Sequence, residues 1–204
     1  MRYLQSLLIA ATFLALPLSY ASTQDLDESD FSSTAASVFK VDENNNYADN
    51  LALREVRKIG LGASLGGSLG FYGFNIEINF EDADGAMAGV GGGDGYSTFN
   101  ILWKHSFLGD TIAPYTTLGY SRWYNATSGG NYKNSAVLDR VLTDREKATG
   151  QFATDFLSGS VGLQYTHLQG ELAGTSLFAE IVLLADAHHG TLVPTGTVGA
   201  GYYF

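Results

Sequence analysis

The 204-residue chain has no cysteine, so nothing in it is stapled by disulfides and its stability must come from elsewhere. Basic residues are scarce, 11 Lys and Arg against 21 Asp and Glu. That balance excludes the basic face that nucleic-acid binding requires. After the first 21 residues there is no apolar run long enough to cross a bilayer as a helix. If the mature chain lives in a membrane, it must do so as strands.

What is present begins with Arg2, an apolar run from Leu4 to Leu16, Pro17, and the small residues of Ser19-Tyr20-Ala21. This layout reads as a secretory signal peptide over 1–21. Cleavage after Ala21 removes one basic residue and no acidic one, which leaves ten against 21 and a net charge of −11. Residues 22–32, STQDLDESDFS, read as an acidic leader, disordered on the periplasmic side. The remaining 33–204 form the folded domain.

Alternation with a period of two dominates that domain. Phe74, Ile76, Ile78 and Phe80 point one way, and Asn75, Glu77, Asn79 and Glu81 the other. Residues 96–107 set Phe99, Ile101 and Trp103 against Asn100, Lys104 and Ser106. Similar strands are predicted at 55–66, 112–124, 157–167, 176–186 and 197–204, with a weaker one at 33–42. The joins mostly alternate between short (66–68, 108–111) and long (82–95, 125–154), with 168–175 shorter again and 187–192 joining the last pair. One strand face is apolar. The other is mostly Gly, Ser, Thr, Asn and Gln with a few charges, which makes a poor dry core and a reasonable lumen for a small barrel. The fold class expected is all-β: an eight-stranded antiparallel transmembrane β-barrel with short periplasmic turns and long external loops.

The final segment, TVGAGYYF, alternates Val198, Ala200, Tyr202 and Phe204 with Thr197, Gly199, Gly201 and Tyr203. With the signal peptide and the alternating strands, it resembles small outer-membrane β-barrels of the OmpA/OmpX type. The resemblance covers roughly 33–204. It implies an outer-membrane address in a Gram-negative cell, reached through the periplasm. It also implies that Tyr202 and Phe204 are an assembly signal read by the barrel-assembly machinery. Closure requires a partner for the last strand, expected near 33–42.

Several groups of residues stand out. Lys58, Glu77, Lys104 and Glu180 fall on inferred inward faces and are expected to pair as a lumen polar network, because an unpaired charge there would be costly. Trp103, Trp123, Tyr124, Tyr202 and Phe204 lie near strand ends, where amphipathic rings form interface girdles. Asp82, Asp84 and Asp94 sit in a Gly/Asp-rich stretch, but their spacing is not that of a calcium loop. Residues 134–148 carry Val137, Leu138, Val141 and Leu142 at helical spacing with a charged opposite face. They read as an external helix over the barrel mouth, on a loop (125–154) that could take an external ligand. Asp186, His188, His189 and Thr191 faintly resemble the His-x-Ser motif of barrel lipid A deacylases, with threonine in place of serine.

From these features we expect a monomer with a structural or surface-interaction role, partnered by outer-membrane lipid and lipopolysaccharide, with no cofactor, metal or catalytic residues. A narrow channel for small solutes is the first alternative and a lipid A-modifying esterase the second.

Overall fold

The computed structural model describes residues 46–125 and 135–204. Eight strands form one closed sheet: β1 Ile59–Gly66, β2 Tyr72–Asn79, β3 Asp84–Gly93, β4 Tyr96–Ser106, β5 Ile112–Asn125, β6 Phe152–Thr166, β7 Thr175–Asp186 and β8 Leu192–Tyr203. Every neighbouring pair is antiparallel, and β8 returns to β1 with Ala63 opposite Ala200. Closure leaves no unpaired edge.

Alternation decides which side chains go where. Phe74, Ile76 and Ile78 are exposed on the outer face, while Glu77 and Asn79 are buried within. Leu61, Ile101, Leu118, Val161, Ile181 and Val198 extend the same apolar belt around the barrel. Val198 and Phe204 point outward and Thr197 and Tyr203 inward, as the terminal pattern predicts. The distribution is inverted relative to a water-soluble barrel. Ionisable groups that do face outward come as directly opposed pairs near strand ends. Asp84 faces His105 at 2.9 Å, and Arg122 faces Asp155 at 3.5 Å.

One end of the barrel carries the short turns 80–83, 107–111 and 167–174, together with helix α1 (Asn50–Val56). Asp49 caps α1 by accepting a hydrogen bond from Ala52 N at 2.8 Å. The opposite end carries 67–71, the tight 94–95 turn, the long 126–151 connection and 187–191. We call these the turn end and the loop end.

Two expectations are corrected here. Residues 82–95 are not a loop, because 84–93 is strand β3. Its glycines look like turn residues, yet several are inward positions that leave space for other groups. A Cβ on Gly89 would lie 2.8 Å from Leu69 Cδ1, and one on Gly91 would lie 2.5 Å from the Leu69 carbonyl. Leu69 belongs to a 3₁₀ turn (Gly67–Leu69) that folds into the lumen, and β3 makes room for it. The second correction follows from the first. With β3 counted, eight strands are complete, and β8 closes on 59–66 rather than on 33–42. The segment 33–42, the signal peptide and the acidic leader all lie outside the described residues.

The expected helix over 134–148 is two short ones, α2 (Leu138–Val141) and α3 (Asp144–Thr149), with residue 134 outside the described set. Leu142 is extended, and Thr143 starts a new helix through a reciprocal capping box with Glu146.

Candidate functional site: the lumen and its two plugs

Four layers fill the barrel. At the turn end, α1 inserts Leu53 and Arg54, both buried. Leu53 packs with Tyr47, Leu168, Ala173 and Tyr203. Arg54 Nη1 is paired with Glu77 Oε1, and its Nε donates to the Asp82 carbonyl at 3.0 Å.

Glu77 joins this plug to the next layer. Its Oε2 accepts from Lys104 Nζ and from the Tyr203 hydroxyl, each at 2.9 Å. Lys104 also donates to Gln164 Oε1 at 2.8 Å and lies 4.7 Å over the ring of Tyr115. Gln164 Nε2 donates to Tyr203 at 3.0 Å. A buried carboxylate between two cations, with its hydrogen bonds filled, is the arrangement in which a buried charge is tolerable. Glu180 sits apart from this cluster and accepts from Ser160 Oγ at 2.7 Å and from the Tyr115 hydroxyl at 3.1 Å. Beside these groups is a cavity of about 40 Å³ lined by Ser64, Asn75, Glu77, Lys104 and Glu180.

Above the cavity, the inturned 67–69 segment spans the lumen. Its carbonyls accept from Trp123 Nε1 at 2.9 Å, Ser121 Oγ at 2.7 Å and Thr98 Oγ1 at 2.7 Å. Asn100 Nδ2 donates to Ser68 Oγ at 2.8 Å. The loop end is then sealed by an apolar cluster. Val137, Leu138, Val141 and Leu142 of the long connection pack on Trp123, Phe156, Val182, Leu184 and Val193 of the barrel wall.

Of the four charges expected in the lumen, Glu77 and Lys104 meet directly and Glu180 faces the same cavity. Lys58 does not join them. It is exposed and precedes β1 at the turn end, so strand alternation does not apply to it. The second cation on Glu77 is Arg54, which comes from a helix. Its signal in the sequence is the cap residue Asp49 before Leu51-Ala52-Leu53-Arg54.

Among the aromatics, Trp103 and Tyr124 are exposed on the outer face, toward the turn end and the loop end respectively. Tyr202 stacks edge-on against Phe204 with centroids 5.0 Å apart. Trp123 is corrected. It is 2% exposed, points inward and stacks on Tyr96 at 5.2 Å. Tyr115, Thr117 and Ser121 set the inward parity of β5, and Trp123 shares it despite its ring type.

The other motifs have local roles. Asp82 accepts from its neighbour Ala83 N in the turn-end loop. Asp94 lies past the loop end of β3, ten residues from Asp84. At about 3.3 Å per residue that is roughly 33 Å, too far to share one ion. In the β7–β8 turn, buried Asp186 accepts from His188 N at 2.9 Å and contacts His189 Nδ1 at 2.8 Å. Thr191 meets Asp186 through its backbone carbonyl. His188 Nε2 lies 3.5 Å from Asp155.

No family model matches this chain, and no curated protein matches it. Solved structures do. The N-terminal barrel domain of Pseudomonas aeruginosa OprF aligns over 72% of this chain and 95% of its own length, with 15% identity and a TM-score of 0.48. Ail, the attachment invasion locus protein of Yersinia pestis, covers 72% and 96% with 14% identity and a TM-score of 0.42. A de novo designed transmembrane β-barrel covers 72% and 96% with 8% identity and a TM-score of 0.43. By its own strand count and closure, the chain is an eight-stranded antiparallel barrel, the architecture of the small outer-membrane barrels.

Proposed function

We propose that this protein is an integral outer-membrane barrel with a sealed lumen and a structural or surface-interaction role. The observation that carries this reading is the inverted distribution of polarity, an apolar belt outside and a filled polar interior. In lipid every backbone group must be paired internally, and a closed sheet does that. A charge on the lipid face near the midplane costs about 2–4 kcal/mol. The opposed pairs Asp84–His105 and Arg122–Asp155 sit near strand ends, away from that depth. The turn end then faces the periplasm, with export directed by residues 1–21. The long 126–151 connection faces outward, where it meets lipopolysaccharide or an external ligand. Assembly uses the terminal Tyr202 and Phe204 through the barrel-assembly machinery, and the product is a monomer.

The channel alternative has less support. The turn-end plug, the Glu77 layer, the inturned 67–69 segment and the apolar cluster are stacked along the axis. Planar-bilayer recording tests it, with no resolvable conductance expected from folded protein. Discrete unitary steps would revive the channel. The esterase reading rests on Asp186 and His189, whose contacts are those of a tight turn. Lipid A from cells with and without the protein should show the same acyl pattern by mass spectrometry.

A further inference from the structure

The β1–β8 seam is one of the short ladders of the wall. It pairs Gly60–Gly66 with Thr197–Tyr203, the same length as the β1–β2 pairing of Ile59–Leu65 with Tyr72–Ile78, whereas the β5–β6 ladder runs from Ile112 to Asn125. Gly60, Gly62, Gly199 and Gly201 occupy inward positions and bring no side chain of their own to the seam. Other groups cover them, Tyr203 over Gly60, Asn75 over Gly62 and Phe178 over Gly199. Glycine within a strand weakens it. The 40 Å³ cavity lies against this stretch, lined by Gly60, Gly62, Gly201 and Thr197. Thr197 Oγ1 is buried there without a hydrogen-bond partner.

One side chain fastens the seam from the turn end. Arg57 lies just before β1, yet most of its bonds go to the far side. Its Nη1 donates to the Tyr203 carbonyl at 2.8 Å, the Ala173 carbonyl at 2.6 Å and the Tyr202 hydroxyl at 3.0 Å. Its Nε donates to the Tyr47 hydroxyl at 3.0 Å, and the guanidinium lies 5.6 Å from the ring centres of both Tyr47 and Tyr202. The same segment ties the other turns. Asn50 Nδ2 donates to the Phe107 carbonyl at 3.0 Å and Arg54 Nε to that of Asp82 at 3.0 Å.

We propose that residues 46–57 form a strap and that Arg57 is its latch on the β1–β8 seam. With the latch engaged, the seam stays closed over the cavity. With it released, the barrel opens locally along β1 and β8 and nowhere else. This inference stands on the strap contacts and the seam, independently of any ligand or partner of the loops.

Amide hydrogen exchange of the full chain in detergent micelles tests it. In Arg57→Ala, peptides covering 59–66 and 197–203 should exchange roughly tenfold faster, while those covering 112–125 and 152–166 stay unchanged. A bridge placed across the seam should cancel the effect. Ala63 and Ala200 are directly paired. Antiparallel partners lie within the Cα separation a disulfide spans, and the chain has no other cysteine. In Ala63→Cys/Ala200→Cys carrying Arg57→Ala, the oxidised barrel should show slow seam exchange, and reduction should restore the fast rate. If Arg57→Ala alone yields no folded barrel, the oxidised form is the starting point and reduction the trigger. Unchanged seam exchange, an equal rise in β5 and β6, a rise that survives the bridge, or a bridged variant that still does not fold would each overturn the latch.

Discussion

Glu77 is the residue on which the interior depends. It neutralises two cations that arrive from different elements, Arg54 from α1 and Lys104 from β4. Removing one partner of such a buried group leaves an uncompensated charge, at a cost of about 3–5 kcal/mol. Glu77→Gln should lower unfolding stability in detergent by that order, read from urea titration. Adding Lys104→Met should recover part of the loss, because one orphaned cation goes with it. A Glu77→Gln barrel as stable as wild type would mean that the cluster holds nothing together. Glycines give a second residue-scale contrast. A Cβ on Gly85 would sit 2.8 Å from Asn79 Oδ1, 2.9 Å from the Ile78 carbonyl and 3.2 Å from Arg54 Nη2. On Gly159 its nearest contacts are at 3.8 Å. Gly85→Ala should therefore lower the melting temperature, and Gly159→Ala should leave it unchanged or raise it slightly.

At the scale of elements, the long connection is a plug as well as an exposed loop. Leu138 is fully buried against the wall cluster, whereas α3 contributes no buried residue. Leu138→Ala should cost about 2–5 kcal/mol and speed proteolytic cleavage within 126–151. Arg145→Ala on α3 should change neither. Equal protease sensitivity in both variants would contradict the plug. Strands such as 74–80 and 157–165 were legible in the sequence because bulky residues mark one face, at every second position in the first and at all but Gly159 in the second. β3 was not, because its inward Gly89 and Gly91 had to be small to admit Leu69, and its outer positions include Ala86, Ala88 and Val90. Glycine serves turns and crowded strands alike, and only the partner segment tells them apart. Trp123 shows the reverse problem. The alternation of β5 placed it inside, while its ring type suggested an interface. The pairing of Glu77 with Lys104 followed from sharing a face, but Arg54 comes from a helix before β1, beyond the reach of strand periodicity.

The described residues form a closed wall filled from both ends, α1 at one and the 135–150 segment at the other, with the Glu77 layer between. The membrane assignment rests on the outer belt, and the two tryptophans lie on opposite sides of the wall that carries it. Trp103 is exposed outward and Trp123 is enclosed in the lumen. With acyl chains brominated along their length, fluorescence of Trp123→Phe, which keeps only Trp103, should be quenched when the folded barrel is reconstituted. In the same vesicles Trp103→Phe, which keeps only Trp123, should be left unquenched. Quenching of Trp123, or no quenching of Trp103, would contradict a barrel that turns its apolar face to lipid and keeps its interior sealed.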